Sequence, residues 1–137
     1  MSAEHRDFRV LEEPLELEPL IAAVSDDGHG AVVSFLGVVR DHGEKGAVGG
    51  LAYSAYPEMA EKKMAEIGQE MAERFGSLSV AALHRVGRLE IGEASLALAV
   101  GAAHRKEAYA AAVYFVDRLK EIVPIWKEDL PCKEKNR

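Results

Sequence analysis

Cysteine is almost absent from this chain: Cys132 stands alone among 137 residues. A single thiol excludes an internal disulfide and a cysteine-built metal site. Its setting, five residues after Lys127, leaves a catalytic thiol and a bystander both open and favours the bystander. Long apolar runs are missing too, and none approaches the roughly 20 residues that span a bilayer. The segment Met1 to Asp7 is too charged for a secretion signal, so the expectation is a cytoplasmic protein with no membrane partner. Aromatics make up 7% of the chain and are not interleaved with basic residues, while the net charge is −6. That balance argues against nucleic acid as a partner. Several catalytic signatures are also lacking. There is no P-loop and no Gly-x-Gly-x-x-Gly after a strand. The five histidines show no helical two-His metal spacing. Ser34 is not in a nucleophile elbow.

What is present suits one domain over residues 1–137, with enough apolar sequence for a real core. Phe8–Leu11 reads as a short strand and Leu15–Val24 as a short helix. Ala31–Val39, dense in β-branched residues, reads as a buried strand. The glycine-rich stretch Asp41–Gly50 reads as a mobile loop, and Leu51–Tyr56 as a strand. Pro57 then opens a helix with one apolar stripe, Ala60, Met64, Ile67, Met71 and Phe75, and Gly76 closes it. Leu78–His84 and Ala94–Ala102 are predicted strands, joined by a connector from Arg85 to Gly92. A helix over His104–Ile122 follows, and after Pro124 a final strand over Ile125–Leu130. About five strands and three helices in mixed order predict an α+β fold with a mixed, largely antiparallel sheet.

The last helix carries two apolar stripes. Ala108, Ala112, Phe115, Leu119 and Ile122 form one; Tyr109, Val113 and Val116 form the other, and Lys120 continues it at the next step. A lysine set in apolar surface loses hydration, which disfavours its ammonium form. Lys127 follows seven residues later, beside Trp126. Both lysines also suit a bland role, with stems covering apolar surface. Other basic residues sit at element ends: Arg40 and His42 after a strand, His84-Arg85 at the end of another, and His104-Arg105 at a helix start. Cations at a helix N-terminus oppose its dipole unless an anion compensates or they point to water. His84 reads as a core histidine bonded to backbone. A cationic cluster without an obvious nucleophile would bind an anionic substrate and take its nucleophile from elsewhere.

Gly30–His42, Tyr56-Pro57-Glu58-Met59, His84-Arg85-Val86-Gly87, Ala103-His104-Arg105, and Leu119-Lys120 followed by Pro124-Ile125-Trp126-Lys127 resemble, in order, the motifs of the large, catalytic subunit family of molybdopterin synthase. The resemblance spans about residues 30 to 129. It implies an α/β-hammerhead fold and a sulfurtransferase of molybdenum cofactor biosynthesis that converts cyclic pyranopterin monophosphate to molybdopterin. The dithiolene sulfurs would come from the thiocarboxylated Gly-Gly terminus of a small ubiquitin-like partner. It further implies a homodimer with one small subunit at each outer end, a heterotetramer, with no metal and no cofactor. By motif, Lys120 and Lys127 would be catalytic. Arg40, His104 and Arg105 would hold phosphate and pterin, backbone at Val38 and Val39 would line the pocket, and Glu128 and Asp129 would lie near the substrate. The alternative is a non-catalytic anion-binding or scaffold homologue that keeps the fold and the partner groove.

Overall fold

The computed structural model describes residues 4–132. In chain order the elements are β1 (Arg6–Leu11), α1 (Glu18–Val24), β2 (Ala31–Val38), β3 (His42–Gly43), β4 (Gly46–Ala47), β5 (Gly50–Ala55), α2 (Pro57–Phe75), β6 (Leu78–Arg85), β7 (Gly87–Glu90), β8 (Ala94–Ala102), α3 (Arg105–Ile122) and β9 (Ile125–Leu130). They form a four-stranded sheet of order β1-β6-β8-β2, a three-stranded sheet β7-β5-β9, and the small hairpin β3-β4. Only β1 and β6 pair in parallel; every other described pairing is antiparallel. The expected α+β class holds, with two departures from the sequence reading. The predicted loop over Asp41–Gly50 contains the β3-β4 hairpin, and the predicted connector after Arg85 contains β7.

Strand alternation sets the layers. Leu78, Val80 and Ala82 on β6, and Leu96, Leu98, Val100 and Ala102 on β8, turn to one face, where α2 and α3 cover them. Ala81 on β6, with Ala97 and Ala99 on β8, turn to the other face, under Leu20 and Val24 of α1. Large residues thus meet two long helices, and small ones admit a short helix at close range. Gly101 takes this furthest. A Cβ there would collide with the Val24 carbonyl oxygen. On the opposite face the Phe8 and Phe115 rings stack with centroids 5.9 Å apart, tying β1 to α3.

α2 starts at Pro57, whose missing N–H is no loss in a first turn, and ends at Gly76, where φ is +84°. It is joined to α3 by one charged cluster. Arg118 donates from Nε and Nη2 to the two Glu70 carboxylate oxygens at 2.9 and 3.0 Å, and the Tyr114 hydroxyl donates to the same carboxylate at 2.7 Å. These donors hold the Glu70 carboxyl down at about 2, against an ordinary 4.5, with the Arg118 hydrogen bonds the largest cause. No helix among the described residues is long and apolar enough to cross a membrane.

Two predictions follow from this packing. Gly101→Ala should destabilise the fold by about 1–3 kcal/mol through overpacking against a backbone atom that has little freedom to retreat. Urea denaturation measures it, and an unchanged midpoint would contradict the close approach of α1. For Glu70 the folded pKa lies below the unfolded one, so its contribution is full above about pH 4.5 and fades as pH falls toward 2. Glu70→Gln should therefore be less stable than the parent at pH 7, with the gap closing between pH 4.5 and 2 in acid-titrated melting curves.

Candidate active site

The carboxyl end of α3 overhangs the end of the four-stranded sheet, and the three-stranded sheet closes the gap from below. Between them lies a pocket of about 480 Å³. Phe35, Gly37 and Val38 line it from β2, His84 from β6, Ser95 and Leu96 from β8. Val116, Leu119 and Lys120 descend from α3, Val123 follows the helix end, and Tyr53, Ile125 and Lys127 rise from the small sheet. The volume falls within the roughly 300–1,000 Å³ of small-molecule sites.

Two lysines that the sequence suggested separately therefore share one cavity. Lys120 arrives there because Phe115 and Leu119 are buried against the sheet, which leaves Lys120 at the rim. Lys127 arrives because β9 pairs with β5 in a register that sets it opposite Tyr53. Strand alternation turns Ile125 and Lys127 to the pocket and Trp126 away from it. Trp126 instead meets Tyr56 edge to face at 5.7 Å. At 53% exposure it neither walls the pocket nor plugs the core.

The floor carries a group that the sequence reading left in the core. His84 is 4% exposed and sits at the end of a central strand. Its Nδ1 donates to the Arg85 carbonyl oxygen at 2.9 Å, and its ring meets Tyr53 edge to face at 5.1 Å. Burial pushes its pKa down, only partly opposed by that hydrogen bond, so the ring is neutral near pH 7. Ser95 is buried as well, its hydroxyl donating to the Gly37 carbonyl at 3.3 Å. Among the described residues no carboxylate and no thiol lines the cavity. No group of three or more His, Cys, Asp or Glu is placed to hold a metal ion among those residues either.

The other expected site residues lie elsewhere. Val39 is buried and outside the pocket lining. Its N–H donates to the Glu93 carbonyl at 2.9 Å, and its own carbonyl accepts from Gly92 N–H at 2.8 Å. Both of its backbone groups thus fasten the end of β2 to the turn before β8, and of the pair Val38 and Val39 it is Val38 that lines the cavity. Arg40 is exposed just beyond β2. His104 caps α3 and Arg105 opens it, both exposed. Arg105 precedes Lys120 by fifteen residues, which is about 23 Å along a helix axis. One copy of the chain does not bring His104 and Arg105 to the lysines. Glu128 alternates to the far face from Lys127. Asp129 lies one pair further along β9, its carboxylate beside Gly43 of the small hairpin. Neither acid lines the pocket.

The second stripe of α3 is uncovered in this chain. Tyr109 and Val113 are 62% and 61% exposed. They share an apolar groove of about 340 Å³ with Val33, Phe35 and Val116, and Phe35 and Val116 also line the lysine pocket. The groove and the pocket are one continuous surface. Lys120 is itself exposed, so the dehydration expected for it is not supplied by this chain alone.

Comparison with known proteins places this architecture. The family model described as "MoaE protein" matches residues 10–122. The molybdopterin synthase catalytic subunit of Halalkalibacterium halodurans is 43% identical over 122 residues, covering 89% of this chain and 78% of that protein. The protein of the same name from Bacillus subtilis is 40% identical, covering 90% and 78%. The crystal structure of molybdopterin synthase from Staphylococcus aureus superposes with a TM-score of 0.88 at 38% identity, covering 93% of each chain. With a family match across most of its length and the fold to go with it, the chain belongs to the MoaE protein family.

Proposed function

We propose that this chain is the catalytic subunit of a molybdopterin synthase, a cytoplasmic sulfurtransferase of molybdenum cofactor biosynthesis. It acts on cyclic pyranopterin monophosphate with sulfur delivered as a thiocarboxylate on the C-terminal Gly-Gly of a small ubiquitin-like partner. The observation that carries this reading is the convergence of Lys120 and Lys127 on a cavity with no thiol or carboxylate of its own. Two ammonium groups suit an anionic substrate and an anionic sulfur donor, and the reacting nucleophile then has to come from outside the chain. The name shared by the relatives, catalytic subunit, supports a second subunit in the working enzyme. The apolar rim suits an extended tail threading toward the lysines.

In this reading Lys120 stands beside the acyl carbon of the donor and steadies the negative charge that develops when that carbon becomes tetrahedral. Lys127 holds the pterin from the opposite wall. Arg40, His104 and Arg105 hold its phosphate; for His104 and Arg105 the separation along α3 allows this only from a second copy of the chain. The exposed groove of β2 and α3 is the surface on which that copy would sit.

Reconstitution with a thiocarboxylated carrier and cyclic pyranopterin monophosphate tests the activity, with the dithiolene product read as a fluorescent oxidised pterin. Lys120→Ala should lose about 10²–10³-fold in single-turnover rate, the scale for removing one donor to a developing oxyanion. A full rate would remove Lys120 from the chemistry. A stable carrier complex with no product from the unaltered chain would favour the scaffold alternative. Mixed dimers test the shared site. Lys120→Ala and Arg105→Ala chains, each inactive alone, should regain activity when combined, because one of the two sites then has both groups intact. No regain would place both residues in sites built from a single copy.

A further inference from the structure

We propose that His84 is the general base of this pocket, taking a proton from the water that releases the carrier from its acyl-sulfur linkage to the substrate. The inference rests on the sulfur-transfer reading above and adds to it a residue and a step. A carrier that arrives as a thiocarboxylate and leaves as a carboxylate must gain an oxygen atom, and water is the source. The attacking water bonds through oxygen to the acyl carbon, and its proton passes to His84 Nε2. The carbon–sulfur bond then breaks. The sulfur stays on the substrate with the electron pair, the oxygen stays on the carrier, and the proton returns from the imidazole to bulk water. No electrons enter or leave.

Elimination and geometry carry the assignment. Tyr53, His84, Lys120 and Lys127 are the titratable side chains among the residues that line the cavity. The two lysines offer N–H donors, and a tyrosine hydroxyl is a weak proton acceptor. The imidazole alone offers a basic lone pair. Its tautomer is set by structure: the Arg85 carbonyl can only accept, so Nδ1 carries the proton and Nε2 does not. Nε2 has no hydrogen-bond partner among the described residues. Yet it is not sealed away, since the one fully enclosed, unpartnered side-chain atom among the described residues is His5 Nε2. A buried ring that lines the cavity, with Nδ1 fixed by the Arg85 carbonyl and an Nε2 that is not enclosed, is a built acceptor. Burial disfavours protonation of the same ring and leaves its lone pair available to water. The neighbouring Arg85 does not compete for the cavity, because its guanidinium is held by Glu93 at 3.0 Å and by the Glu12 carbonyl at 3.0 Å.

The test is a single turnover with thiocarboxylated carrier and cyclic pyranopterin monophosphate, following the covalent carrier–pterin species by intact-protein mass spectrometry. His84→Asn keeps an N–H for the Arg85 carbonyl and removes the basic nitrogen. The expected result is normal formation of the adduct and a hydrolysis rate lower by about 10²–10⁴-fold, so that the adduct accumulates. A purely structural role would slow adduct formation as well. Clearance at the parental rate, or failure to form the adduct at all, would overturn the assignment. Should the variant not fold, ¹⁵N NMR of the histidine rings in the unaltered protein decides. A bare Nε2 with protonated Nδ1 at pH 7 supports the base, and an Nε2–H tautomer or an imidazolium overturns it. If the unaltered chain yields no product, the sulfur-transfer reading falls first and takes this step with it. If it yields product and His84→Asn does so equally well, only the base is lost.

Discussion

The rotation of α3 about its own axis is the constraint on which the pocket depends. Each residue turns the helix by about 100°, so fixing two or three side chains fixes all the others. Phe115 and Leu119 are buried against the sheet, and Phe115 is further held by the stacked Phe8 ring. Arg118, on another side of the helix, is bound to Glu70 of α2 through two donors. With these settled, Lys120 emerges at the cavity that His84 and Lys127 also line. A charge pair with no part in the chemistry thereby helps aim the amine. Arg118 and Glu70 remain partly exposed, so their worth lies in geometry more than in net stability.

A second consequence concerns the small sheet. β5 pairs with β7 on one edge and β9 on the other, and it is β9 that lifts Lys127 to the pocket. Tyr53 joins the two halves, since it stands opposite Lys127 in the register and packs its ring on His84. The central strand of the large sheet and the last strand of the small one are thus coupled through one aromatic side chain. Both lysines and the imidazole rest on regular elements and not on loops, which keeps their separations fixed.

Much of this was legible from the residues. The strand expected over Ile125–Leu130 is β9 as observed, although its middle is charged and exposed. The helix stripes located α2 and α3, and the apolar run Ala94–Ala102 matches β8. Those are segments where burial and periodicity agree. β7 was missed because Gly87–Glu90 has one buried apolar side chain, Leu89, and is a strand only through its pairing with β5. The β3-β4 hairpin is two residues on each side, too short for any alternation to register. Lys120 stood out because it broke a stripe. His84 did not, because it continues the alternation Leu78, Val80, Ala82 and so looks like core, as it also is. Its open side depends on the cavity that Lys120 and Lys127 enclose, and that depends on contacts between elements far apart in the chain. The same holds in reverse for His104 and Arg105. Their motif suggested a role beside the lysines, but only the length of α3 reveals that one copy keeps them apart.

The edge strand β2 links the fold to the chemistry. An exposed edge is a liability unless something covers it, and this one is apolar on both faces, with Val32 and Leu36 outward on one side and Phe35 and Val38 on the other. Tyr109 and Val113 extend that surface onto α3, and it runs without a break into the lysine pocket through Phe35 and Val116. Whatever covers the groove also removes water from the neighbourhood of Lys120. Dehydration strengthens every interaction between an ammonium and a developing negative charge. The chain by itself leaves Lys120 wet and the pocket half-built. Assembly on β2 and α3 would do two things at once: bury an apolar edge, which favours association, and lower the local dielectric around the Lys120 amine. A site arranged in this way would reach its full electrostatic strength only with that surface covered.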